Sequence, residues 1–200
     1  NVDLSNFYLD YAKDILYIEK EDSRVRRSVQ TVLHRILEDL TKVLAPVLVH
    51  TAEDIYDHTP HRTAESIHLT YFSDKEDVDE KVLEQWAQIM AVRDDVYKAL
   101  EVARNEKVIG KSLDAKVTLT LPEGLTKDSI NSEFTQLFIV SQVEIVDELT
   151  DGTTYQNTTV KVEHAEGEKC ARCWNYKTDR NLVSGKDDIC DRCRTVVGEN

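Results

Sequence analysis

The sequence predicts a mainly α chain: a helical bundle, then a small α/β segment, then a compact module built on four cysteines. Three observations carry this expectation. Apolar residues recur at helical spacing through roughly the first hundred positions. Period-two alternation replaces that spacing after Arg104. All four cysteines of the 200 residues fall in the last stretch, as Cys170-x2-Cys173 and Cys190-x2-Cys193 with sixteen residues between the pairs. The expected segments are 1–104 (helical), 105–163 (α/β junction) and 164–200 (four-cysteine module).

Taken in order, Leu4 to about Glu21 places Phe7, Tyr11, Ile15 and Ile18 on one helical face. Ser23 is a plausible N-cap for a second, longer helix. Its stripe runs through Val25, Val29, Val32, Leu33, Ile36, Leu37, Leu40 and Leu44, and Pro46 ends it. Thr51–Tyr56 predicts a third, short helix, and Ser66–Tyr71 an extended piece. Ser73 to Glu76 predicts the start of a fourth helix. Its apolar stripe from Val78 to Leu100 should be buried against the others.

Lys116–Leu121 alternates and predicts a strand closed by Pro122-Glu123-Gly124. Ile130–Phe134 predicts a short helix, and Phe138–Val146 a second strand. Tyr155–Val162 predicts a third, after a turn at Asp151-Gly152.

The cysteine spacing fits a structural zinc site. Each CxxC turn brings two sulfurs to one side, and two turns complete a tetrahedron with no position open for a catalytic water. Cys170, Cys173, Cys190 and Cys193 are therefore the expected metal ligands, with iron–sulfur ligation the remaining alternative. Reduced, metal-ligating thiols fit the cytoplasm. No apolar run approaches the length of a membrane span. The chain opens at Asn1 without a methionine and reads as a fragment.

A net charge of −13 excludes indiscriminate nucleic-acid binding, which depends on neutralising phosphates, but leaves room for local basic faces. Two such places stand out. Arg24, Arg26, Arg27 and Arg35 lie on the second helix with no acid among positions 24–35. They are either a phosphate-contacting surface or a solvated face ion-paired to Glu19, Glu21 or Asp22. The cysteine module carries Arg172 and Arg192 inside its knuckles and Trp174 directly after one. The indole is either a platform for an unpaired base or packing for the small metal core. His58 and His61 read as surface and His164 as an outer-shell group. Asp94-Asp95 and Glu76-Asp77 read as solvated helix faces. Phosphate-binding glycine loops and nucleophile elbows are missing.

The opening stretch Leu4–Asp14 resembles the first helix of the anticodon-binding domain of class I aminoacyl-tRNA synthetases of the isoleucine/valine/leucine group. Arg26–Leu33, Leu44-Ala45-Pro46 and Thr51–Tyr56 resemble the next two helices. Val92–Glu101 with Arg104–Ala115 is similar to a signature near that domain's end. Lys169–Trp174 with Cys190–Cys193 resembles the C-terminal zinc finger of the bacterial isoleucine enzymes. The resemblance covers nearly the whole chain.

It implies an anticodon-binding helical fold and one Zn2+ on the four cysteines. It also implies a parent isoleucine–tRNA ligase whose ATP-using catalytic core and editing domain lie outside this sequence. The implied partner is isoleucine tRNA, held by its anticodon stem and loop, with a monomeric, cytoplasmic protein. Trp174 and Arg172, and with them Arg192, would meet anticodon bases, and Arg24, Arg26 and Arg27 would meet backbone. The alternatives are a zinc-ribbon module that docks another protein, or the equivalent region of a related synthetase.

Overall fold

In the computed structural model, which describes residues 2–74, 77–126, 134–178 and 189–198, contacts divide the chain into two units. One holds 1–18 and 79–200, the other 19–78. This division cuts across the three segments read from the sequence, because the first helix and the fourth belong with the sheet and not with the helices between them.

The larger unit opens with a π-helical turn, Leu4–Tyr8, running into α1, Leu9–Ile18. Its long helix, here α4, spans Glu80–Asn105. Asp79 caps it, the carboxylate accepting from the backbone N–H groups of Lys81 (3.0 Å) and Val82 (3.3 Å). The helix thus starts later than Ser73. The apolar stripe is buried only from Ile89 onward, and Val78, Val82 and Leu83 are exposed.

A 3-10 turn, Ser112–Asp114, leads to β1, Ala115–Leu119. The expected helix at 130–134 falls mostly outside the described residues; α5 spans Phe134–Phe138. The strands β2 (Gln142–Ile145), β3 (Thr153–Thr154) and β4 (Thr159–His164) complete a sheet of order β2-β1-β4-β3. β1 pairs β2 in parallel and β4 antiparallel, with Val117 opposite both Val143 and Val162.

Two expected strands are corrected. Phe138–Val146 is not one strand. Phe134 and Phe138 stand an i,i+4 helical pair apart, their rings 5.7 Å from each other. Ile139 then takes a left-handed backbone (φ 56°), and the strand begins only at Gln142. A short apolar run reads the same in either period. The third strand starts at Thr159, since 155–158 is itself the turn, closed by Tyr155 N–H donating to the Thr158 carbonyl at 2.8 Å.

The core lies between α4, α5 and the sheet, with Val96, Val117, Leu119, Leu137 and Phe138 fully enclosed. Each such side chain contributes roughly 1.5–3 kcal/mol by leaving water. Asp95, expected on a solvated face, is instead buried in this layer. Its carboxylate accepts from the Asn157 backbone N–H (2.8 Å), the Asn157 side-chain amide (2.9 Å) and Lys98 Nζ (2.9 Å). The loop before β4 is thereby fixed to the middle of α4.

The sheet leads into a two-stranded ribbon, β5 (Glu168–Lys169) and β6 (Tyr176–Lys177), and the described chain closes with α6, Asp191–Val197. Gly167 enters the ribbon at φ +88°, and a Cβ there would sit 2.3 Å from the Lys177 carbonyl oxygen, so no other residue fits.

The second unit contains α2, Arg24–Leu44, and α3, Val49–Asp57. Ser23 precedes α2 as expected, without a side-chain cap bond. Ser66–Tyr71 is not extended but holds a 3-10 turn, Ile67–Leu69. Ser66 Oγ accepts from His68 N–H, and Glu53 accepts from Ser66 Oγ (2.9 Å) and Ile67 N–H (3.3 Å). Ala45, Ala52, Tyr56 and Ile67 form the small core.

Candidate functional site

The four cysteines converge because two local structures aim them. In the first, Cys170 N–H donates to the Asn175 carbonyl and Trp174 N–H to the Cys170 carbonyl, both at 2.9 Å. These bonds close a tight knuckle whose last corner is Trp174, in left-handed backbone (φ 64°). In the second, Cys190 and Cys193 stand three residues apart at the start of α6, so one helical face presents both sulfurs. Cys190 N–H also donates to Cys170 Sγ at 3.3 Å, joining the two pieces.

All four Sγ atoms lie within 4.8 Å of one another, the residues are buried and the thiols are free of disulfides. A tetrahedron with Zn–S near 2.3 Å has sulfur–sulfur edges of about 3.8 Å. The Cys173–Cys190 separation is 3.8 Å. The donor set fits a single four-coordinate ion, and with every position filled by sulfur that ion is a structural one.

The thiols differ. Burial works to raise Cys170, but the backbone N–H groups of Cys173, Cys190 and Arg172 overcome it and bring it down to about 6. Burial, joined by the neighbouring charges of Cys170 and Cys190, pushes Cys173 up to about 11 against the opposing N–H of Asn175. Burial pushes Cys193 upward too, although the Arg172 guanidinium resists. Metal binding at neutral pH therefore displaces protons from Cys173 and Cys193.

Around the sulfurs the expected contact residues part ways. Trp174 is 60% exposed and is no part of the metal core, which is closed instead by Ile18 and Ile189. Arg172 turns inward: Nη2 donates to the Ile18 carbonyl at 2.8 Å and Nη1 to Cys193 Sγ at 3.7 Å. Arg192 pairs with Asp14 at 2.5 Å. His164 is not part of the clustered donor set and meets the Tyr176 ring edge-on, 5.1 Å between centroids. Lys169 Nζ stands 5.9 Å above that same ring. Arg180 and Lys186 lie outside the described residues.

Arg24, Arg26 and Arg27 belong to the other unit, on the first turn of α2. Arg24 and Arg27 are exposed and have no ion pair among the described residues. Arg26 is half-buried and donates to the Glu19 carbonyl at 3.0 Å. The parts that sequence reasoning missed are Asp14 and Ile18, which stand four apart on α1. That spacing was visible as a helical face, but its destination was not.

The family described as the anticodon-binding domain of tRNA ligase matches residues 1–119. The chain belongs to that family. A second match, at 167–196, is to the zinc finger found in FPG and IleRS, and it covers both knuckles, so the four-cysteine centre is a site for one Zn2+. Isoleucine–tRNA ligases from Staphylococcus epidermidis and Staphylococcus saprophyticus are 56% and 53% identical over 200 residues. One from Staphylococcus aureus is 54% identical over 201 residues. Each match takes in 98% of this chain, which spans 22% of the length of these relatives. Among the described residues, no helix is long and apolar enough to cross a membrane.

Proposed function

We propose that this chain is the part of a cytoplasmic, monomeric isoleucine–tRNA ligase that holds the anticodon stem and loop of isoleucine tRNA. ATP and the amino acid are handled by the remaining length that its relatives possess. The working parts are the helical region 1–104, the junction 105–163 and the finger 164–200; the family match at 167–196 supports the last of them, while the match at 1–119 runs past the first boundary. Cys170, Cys173, Cys190 and Cys193 hold the zinc.

The observation that carries the reading is the indole of Trp174, a large aromatic face 60% exposed on a buried four-thiolate centre. A core residue would be covered. An exposed ring on a rigid turn is what an unpaired base stacks on, at roughly 1–3 kcal/mol per base. Arg24 and Arg27 are the better placed of these arginines to take phosphates, being exposed and without an ion pair among the described residues. Arg26, Arg172 and Arg192 contact the RNA less, since each already serves a protein acceptor.

The test is binding of this chain to isoleucine tRNA against a tRNA of another anticodon, across a salt series. The expected result is preference for the isoleucine species and affinity that falls with salt. Trp174→Ala should weaken binding by about 1–3 kcal/mol. Equal, negligible affinity for both tRNAs would reject the reading in favour of a protein-docking zinc ribbon.

A further inference from the structure

The metal centre is not confined to the tail of the chain. Its apolar lid includes Ile18, the last residue of α1, more than a hundred and fifty positions upstream of the first ligand. A helix's last carbonyls lack intrahelical donors and need partners from elsewhere. Arg172 supplies one, with Nη2 on the Ile18 carbonyl at 2.8 Å. The same guanidinium reaches Cys193 Sγ at 3.7 Å through Nη1. One turn back along α1, Asp14 takes Arg192 Nη2 at 2.5 Å. A planar fork with fixed donor directions can serve a carbonyl and a thiolate together, where a lysine ammonium offers a single point charge.

We propose that Arg172 is a positioning residue that ties the Cys193 thiolate to the end of α1, so that zinc orders the last turn of that helix as well as the finger. Groups that hydrogen-bond a metal's ligands orient them and tune the metal's affinity. With zinc in place Cys193 Sγ is held where Arg172 Nη1 reaches it, so the guanidinium spans two fixed acceptors. When zinc leaves, the two cysteine pairs are no longer drawn to one point, the lid opens and Ile18 loses its cover. The inference rests on the zinc reading and is independent of whether RNA binds.

Hydrogen exchange on the zinc-loaded chain, the chelated chain and zinc-loaded Arg172→Gln tests it, with bound zinc measured in each. Chelation should speed exchange in residues 14–18 as well as in 167–178 and 189–197, while β1 and the buried half of α4 stay protected. Arg172→Gln should still bind one zinc, about 10–100-fold more weakly, with faster exchange at the end of α1. Arg172→Lys should restore part of the affinity and little of the protection. Asp14→Asn, which removes only the flanking ion pair, should change the zinc affinity less than Arg172→Gln. A chain that binds zinc tightly while α1 exchanges identically with and without it overturns the inference alone. A chain that binds no zinc overturns the metal centre with it.

Discussion

The two units solve the same problem with different means. The larger one encloses an extended apolar core, in which Leu119, Leu137 and Phe138 have no exposed surface, although Val82 and Leu83 at the start of α4 stay exposed. Where its sheet ends, buried thiolates replace hydrocarbon. The smaller one, among its described residues, gathers Ala45, Ala52, Tyr56 and Ile67 into a small core and leaves Val25, Val43 and Val47 more than half exposed. The contrast teaches that helical periodicity specifies a face without specifying what covers it. A CxxC pair, by comparison, specifies its own partner, because only a second pair completes the tetrahedron.

The largest effect that sharpens this contrast is loss of the metal. Structural zinc binding is worth about 10–16 kcal/mol in small finger modules at neutral pH. Cys193→Ser should abolish stoichiometric zinc and strip amide protection from 167–178 and 189–197, while near-ultraviolet and exchange signals of the sheet persist. A tail that stays protected without metal would erase the distinction between the two ways of building a core.

Next come packing substitutions. Phe138→Ala should cost about 3–5 kcal/mol in urea unfolding of the sheet-bearing unit. Val43→Ala in α2, at 59% exposure, should lie within about 0.5 kcal/mol. Similar costs for both would mean that α2 is covered in solution.

Between them in size falls Asp95→Ala, expected at about 1–3 kcal/mol because the amide groups of Asn157 lose a buried acceptor. Burial works to raise the Asp95 carboxyl, but Lys98 and Asn157 outweigh it and hold it below its ordinary value of 3.8. A depressed native pKa means that the stabilisation is complete above the unfolded value and is lost as pH falls through the native one. The wild type should therefore lose stability relative to Asp95→Ala only below about pH 4, read as converging urea midpoints.

How much of this could be read from the chain follows the same division. The cysteine centre, α2, α3 and β1 were legible, because spacing, Pro46 and alternation are local signals. The cap at Asp79 was hidden by a longer polar run of equally good starting residues. Phe134–Phe138 looked like the edge of a strand because five residues cannot separate the two periods. Asp95 looked solvated because its partner, Asn157, lies sixty-two positions away. Arg172 looked outward-facing for the same reason. Its acceptor is a backbone carbonyl at the far end of the chain, and a carbonyl leaves no mark in a sequence.

The left-handed turn at Trp174 has a bearing on recognition kinetics. A side chain that must be frozen on contact gives up about 0.5–1.5 kcal/mol of rotational freedom. Here the backbone beneath the ring is already set by two hydrogen bonds across the knuckle, before any visitor arrives. If the indole takes a base as proposed, only its side-chain torsions remain to be ordered on contact.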